Sequence, residues 1–189
     1  MKPGKWIGII TGLLLLAGCA VPGQKFIDIR PGQTPEKGCG SRIAVLDFED
    51  ARPETGPGYV GYRILMDRSR ERYFVNGLDL AAALAEAARR YLDQKGCVMV
   101  SGDEAASGDR VLTARIDRFE CRARKDFPAT KMILEIELVF FLENRAERRR
   151  TRIPVALTLE RTEVGFSEKK LQTFVNQSLF AIHEKLPAF

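Results

Sequence analysis

The sequence predicts an α+β domain of two layers: a mixed five-stranded sheet with two amphipathic helices on one face, in the order β-α-β-β-β-β-α. Three observations predict it. In "KMILEIELVFFLE", Met132, Leu134, Ile136, Leu138, Phe140 and Leu142 fall on one side of an extended chain and Glu135 and Glu137 on the other, the pattern of a strand with one buried face. Two stretches carry apolar residues at helical spacing: Leu80, Leu84, Ala88, Tyr91 and Leu92, then Leu171, Phe174, Val175, Ser178, Leu179, Ile182 and Leu186. The short apolar runs "RIAVLDF" and "CVMVS" bracket the first helix, as the strands of a right-handed parallel unit do. One half-buried sheet and two one-sided helices bury their apolar faces by stacking in two layers.

Along the chain, residues 1–18 read as a signal, 19–40 as a tether rich in Pro, Gly, Gln and Lys without apolar period, and 41–189 as a single domain. The first strand begins at Arg42. Residues 49–73 follow as a long, charged, Gly/Pro-punctuated loop, with a strand-like piece at Tyr73–Val75. Asn76 is the expected N-cap of the first helix, Asp79 suits its first turn, and Gly96 ends it with a left-handed cap. "RVLTARIDRFECRA" alternates with Leu112, Ala114 and Ile116 inward. After "KMILEIELVFFLE" the segment "NRAERRR" turns the chain, and "TRIPVALTLER" returns antiparallel with Ile153, Val155, Leu157 and Leu159 inward. Pro154 places that strand at an edge, because it has no N–H for a ladder. Ser167 caps the last helix, with Phe166 and Leu171 as a staple around it.

The N-terminus has its own chemistry. Lys2 and Lys5 precede an apolar run from Trp6 to Leu16, then Ala17-Gly18-Cys19. Such a run of about eleven residues is too short to span a bilayer but suits a signal peptide. Leu16-Ala17-Gly18-Cys19 resembles the lipobox of bacterial lipoprotein signals. That resemblance implies cleavage before Cys19, a diacylglyceryl thioether on its sulfur and an acylated amine, with palmitate among the chains. Several chains on one residue hold a protein at a membrane effectively permanently. Ala20 in place of Asp is associated, in the same resemblance, with sorting to the outer membrane.

Removing residues 1–18 leaves 28 basic against 25 acidic residues. So slight an excess is no nucleic-acid footprint, and export removes nucleic acid as a partner. Cys39, Cys97 and Cys121 remain for an oxidising compartment, where one disulfide and one thiol are expected. Cys39 precedes the first strand and Cys97 starts the second, so neighbouring parallel strands would bring them together. Cys121 competes, since an antiparallel strand can end at the same edge. With no CxxC pair and one histidine, His183, neither a metal nor a cofactor is expected.

No GxSxG elbow, HExxH or Gly-rich phosphate loop occurs. Enzymatic alternatives are a Cys121–His183 thiol–imidazole pair, or Glu135 and Glu137, about 7 Å apart at strand rise, as in an inverting glycosidase. Either would be a periplasmic hydrolase. Arg145, Arg148, Arg149, Arg150 and Arg152 cluster at a hairpin tip, where they could contact lipid or an acidic partner, the phosphates of lipid A included. Asp50 and Arg52 sit where the first strand gives way to the long loop. With Tyr59, Tyr62 and Arg63 they are the candidate partner-binding residues, because Tyr and Arg anchor interfaces.

Asp50-Ala51-Arg52, Gly61-Tyr62-Arg63, Leu84, Leu92, Gly96, "LTARIDRF", Phe166-Ser167, Val175-Asn176 and Leu179 together resemble the YajG-type family of bacterial envelope lipoproteins. That family is similar in outline to auxiliary lipoproteins of ABC transport systems and to outer-membrane activators of cell-wall synthases. The resemblance implies an outer-membrane lipoprotein, brings no catalytic residues, and does not include Cys39, Cys97 or Cys121. The expectation is a lipid-anchored, non-enzymatic accessory module on the periplasmic face of the outer membrane, with an envelope protein as partner. A glycolipid-binding protein working through the arginine tip is the alternative. Cys19→Ser is expected to leave the domain folded and move it from the membrane to the soluble fraction; a variant that stays in the membrane pellet would remove the anchor.

Overall fold

The computed structural model describes residues 23–30, 33–53, 56–100 and 109–187; the signal and Cys19 lie outside the described residues. These residues form β1 (Gln24–Ile27), β2 (Arg42–Val45), β3 (Glu49–Asp50), β4 (Tyr59–Ile64), β5 (Arg70–Val75), α1 (Leu80–Gln94), β6 (Val98–Val100), β7 (Arg110–Asp126), β8 (Ala129–Asn144), β9 (Arg149–Val164) and α2 (Glu168–His183). The sheet thus has nine strands where the sequence predicts five. One of them, β1, falls inside the segment read as tether and pairs in parallel with β5, burying Ile27. The segment read as a loop from Glu49 to Tyr73 holds β3, the whole of β4 and the start of β5. β4 (YVGYRI) carries a glycine and only partly buried tyrosines, and β5 opens on Arg70-Glu71-Arg72 with both arginines exposed, so neither shows a clean apolar alternation.

β7 is the spine of the sheet. One edge pairs antiparallel with β8 over nearly its whole length, and β9 closes that side, paired to β8 only. Pro154 therefore lies on an edge strand. The other edge of β7 takes three short parallel strands in series: β2 at Arg110–Leu112, β3 at Arg115–Ile116 and β4 at Cys121–Arg124. β6 extends the sheet beyond β2, and β5 and β1 extend it beyond β4. The register of β7 slips between Ile116 and Arg118. Before the slip Leu112, Ala114 and Ile116 are buried; after it Phe119, Cys121 and Ala123 are. A bulge is what keeps one buried face when the apolar period changes phase.

Both helices cover the same face. α1 packs on β2, β3, β5 and β7, α2 on β8 and β9, and the two touch. The predicted apolar stripes are the buried ones in both, forming one core with Met132, Leu134, Ile136, Leu138, Phe140 and Leu142. Asp79, not Asn76, caps α1, accepting from the Ala82 amide at 2.6 Å. Asn76 lies before a left-handed Gly77 (φ +69°) and instead bonds Ile27 and Asp28. At the far end Gly96 (φ +90°) and Cys97 donate to the carbonyls of Asp93 and Leu92, a Schellman cap. Ser167 caps α2 by accepting from Lys170.

Gly61 is required by packing. A Cβ there would stand 1.9 Å from the Cys121 carbonyl oxygen, so any side chain would push β4 off β7. Cys39 and Cys97 are joined, with a Cα separation of 4.8 Å across a sequence separation of 58. Closing a loop of that length restricts the unfolded chain by about 4 kcal/mol. Cys121 is buried as a free thiol, and burial pushes it up to about 12.

Candidate functional site

Of the two faces of the sheet, helices cover one; the open face and the strand ends carry the candidate residues. Arg52, just past the end of β3 and at the margin of the open face, is built into the sheet. Its side chain is 4% exposed. Nε and one terminal nitrogen donate to the two Asp50 oxygens at 2.8 and 2.7 Å, and the other terminal nitrogen donates to the carbonyls of Tyr59 (2.8 Å) and Phe119 (2.9 Å). Burial of Asp50 opposes its ionisation, but the hydrogen bonds and charge of Arg52 outweigh that and hold the carboxyl below its ordinary range. Asp50 and Arg52, expected at a partner surface, are thus engaged with each other and with the sheet: four of the five guanidinium N–H groups are spent on Asp50, Tyr59 and Phe119.

The other three candidates are split between faces. The β4–β5 register shifts between Tyr59 and Gly61, and Tyr59 and Tyr62 share the open face, lining a shallow cleft of about 470 Å³ with Phe74, Arg72 and Glu120. Burial, with help from Glu120, raises the Tyr59 phenol to about 12, so it remains a hydrogen-bond donor at physiological pH. Arg63 turns the other way, 4.1 Å over the ring of Phe166 and near Glu71. It steadies the start of α2.

Beside the tyrosines a second cleft of about 450 Å³ runs between Arg118, Arg122, Glu135 and Glu137. Arg118 donates to one oxygen of Glu135 at 3.0 Å, Arg122 donates to the other, and Arg118 lies 3.6 Å from Glu137. Both oxygens of Glu135 are therefore engaged by guanidinium groups, which is the geometry of a cross-strand charge ladder. Cys121 and His183 do not meet. Cys121 faces Leu134, whereas His183 packs against Phe140 and Tyr91, and the six residues from Leu134 to Phe140 span about 20 Å of strand. His183 is buried with Nδ1 unpartnered, and burial brings its pKa down to about 4. Among the described residues no group of three His, Cys, Asp or Glu is placed to hold a metal, and no helix is long and apolar enough to cross a membrane.

The arginine tip lies at the β8–β9 turn. Arg150 stacks on Phe141 at 4.5 Å and Arg145 lies 3.9 Å from Glu143; the tip side chains are largely exposed. The opposite end of the same hairpin holds residues the sequence does not single out: Met66, Phe127 and Val164, all strongly exposed. Apolar residues inside the turns "LMDRS" and "KDFPAT" were the available signal.

Neither a protein-family model nor a curated protein matches the sequence. Among solved structures, one described only as an uncharacterized protein is 14% identical at a TM-score of 0.50, over 83% of this chain and 95% of that one. A Xanthomonas campestris protein of the DUF330 family is 13% identical at 0.49, over 85% and 90%. Lipoprotein GNA1162 of Neisseria meningitidis is 10% identical at 0.30, over 76% and 99%. The first likeness speaks to the fold alone, and the other two carry no argument.

Arg52→Ala is expected to cost about 3 kcal/mol or more, because it strands a partly buried carboxylate and two carbonyls. Arg52→Lys should recover little of this, since an ammonium cannot span all four acceptors. Urea unfolding measures both, and a loss under about 0.5 kcal/mol for Arg52→Ala would show that the contact is idle. His183 sets a pH dependence. Its folded pKa lies below the unfolded value, so its contribution is complete above about pH 6.5 and is lost as pH falls toward 4. The wild type should lose about 2 kcal/mol between pH 7.5 and 5, and His183→Phe should flatten that slope; an unchanged slope would mean the imidazole is solvated.

Proposed function

We propose that the chain is a periplasmic lipoprotein, held to the outer membrane through Cys19, that acts as a non-enzymatic interaction module in envelope assembly or transport. The observation that carries this reading is the asymmetry of the sheet. One face is sealed by two helices, while the other is left open and presents Tyr59 and Tyr62 beside a ladder of paired charges. Rigid aromatics within a polar surround are what protein interfaces use as anchors. The lipobox supports the anchor, Ala20 supports the outer membrane, and the YajG-type resemblance supports an envelope role. The engagement of Glu135 by two arginines, and the distance between Cys121 and His183, weigh against the hydrolase alternative.

The test is photocrosslinking in intact cells. A crosslinker at Thr158, on the open face, should capture a discrete envelope protein, and one at Lys185 on the helical layer should not. Tyr59→Ala with Tyr62→Ala should cut that capture at least about tenfold, as loss of anchor residues does. Equal capture from both layers, or a hydrolytic activity abolished by Glu135→Gln with Glu137→Gln, would overturn the reading.

A further inference from the structure

The three most exposed large apolar residues among those described are Phe127 (89%), Met66 (84%) and Val164 (77%). They come from three separate segments, yet the strand registers bring them to one end of the sheet. Ile64 pairs with both Arg70 and Arg124, Asp126 with Ala129, and Ala129 with Val164. The β4–β5 turn, the β7–β8 turn and the end of β9 thus form one rim. Lys125 donates to the sulfur of Met66 at 3.6 Å, tying the first two turns together. Between them opens a cleft of about 770 Å³ lined by Ile64, Leu65, Arg70 and Arg124. The two turns and their flanks carry Arg68, Arg70, Arg124 and Lys125 against Asp67 and Asp126. Exposed apolar tips ringed by a surplus of cations are the chemistry of an anionic bilayer surface.

A second observation points to the same end independently. Gly23 lies at this end: its carbonyl accepts from Arg72 at 2.7 Å, and it lies against Arg70. Gly23 is only four residues after Cys19, a reach of about 14 Å at full extension. Lipid on Cys19 would therefore hold the β1–β5–β4 side of this rim close to the bilayer.

We propose that this rim is a membrane-seating surface: Met66, Phe127 and Val164 enter the headgroup region of the leaflet that holds the acyl chains, while Arg68, Arg124 and Lys125 meet its phosphates. The proposal rests on the reading of Cys19 as the anchor. It makes the short connection a rigid mount, with the long hairpin standing away from the bilayer and the open face clear of it.

The single tryptophan of the chain, Trp6, lies in the signal, so a tryptophan placed at position 127 reports alone in the cleaved protein. The full chain is expressed with its own leader, purified, and put into excess vesicles of phosphatidylglycerol and phosphatidylcholine containing brominated lipid. Phe127→Trp should be quenched at least about threefold more than Val98→Trp, an exposed site at the far end of the sheet, because only the first sits at headgroup depth. Arg124→Glu with Lys125→Glu should abolish most of that difference. Equal quenching at the two positions, or quenching unaffected by the charge reversal, would overturn the rim. Mass spectrometry of the same sample reads acylation of Cys19. An unacylated cysteine counts against the anchor alone, and quenching at position 127 in excess lipid still decides the rim.

Discussion

One guanidinium closes the edge on which the sheet is assembled. Parallel strands normally present evenly spaced rungs, but the edge of β7 is served by β2, β3 and β4 in turn, each contributing only a few. The Leu46 and Ala51 amides continue the series at Leu112 and Ile116. Between the end of β3 and the start of β4 the carbonyl of Phe119 has no strand opposite it, and there Arg52 supplies the missing donor. The same nitrogen also takes the carbonyl of Tyr59, at the first residue of β4, while Asp50 on β3 balances the charge. A side chain thus replaces a rung and joins two strands to a third. A buried carbonyl left without a donor is costly, so the continuity of this edge depends on Arg52 being both planar and charged.

Continuity along β7 fixes what faces solvent. The bulge at Ile116–Arg118 returns the apolar residues to the helical side, and so returns Arg118, Glu120 and Arg122 to the open side. β4, seated by Arg52 at one end and by the close approach of Gly61 at the next rung, sets Tyr59 and Tyr62 beside them. The charge ladder and the two tyrosines are therefore positioned by the same contacts that build the core. A surface so rigidly backed loses little entropy when a partner covers it.

How much of this was legible follows from where the sequence carries a period. β8 and α2 each present a long unbroken apolar stripe, and both read correctly residue by residue, as did the C-terminal cap at Gly96. β4 and the first half of β5 did not, since a glycine interrupts the one and charged residues open the other; β4 is a strand through β7 and β5, and β5 through β4 and β1. β1 is four residues long, and its single buried residue, Ile27, leaves no alternation to read. The Asp50–Arg52 pair was visible as a loop pin, but its acceptors at Tyr59 and Phe119 are contacts of the fold, absent from any local pattern. Tyr59, Tyr62 and Arg63 looked like one group in the sequence; a register shift in β4 puts the two tyrosines on one face, and strand alternation turns Arg63 to the other.

The two cationic regions of the surface differ in kind because the β7–β8–β9 hairpins are long. From Ala129 to Asn144, β8 covers about 50 Å at strand rise, and the rim with Met66 and Phe127 and the tip with Arg148, Arg149 and Arg150 stand at its two ends. The rim couples its charge to exposed apolar side chains and adjoins the point where the chain arrives. The tip offers charge without an apolar partner of that exposure: its one aromatic neighbour, Phe141, is already covered by Arg150. Charge alone attracts over a Debye length of about 8 Å at physiological salt, far less than the hairpin's length. With its short connection holding the rim, the protein would present the tip beyond the electrostatic reach of the leaflet that anchors it. An acidic surface met by those arginines would then belong to another molecule standing further out, approached end-on, whereas the tyrosine face would be reached from the side.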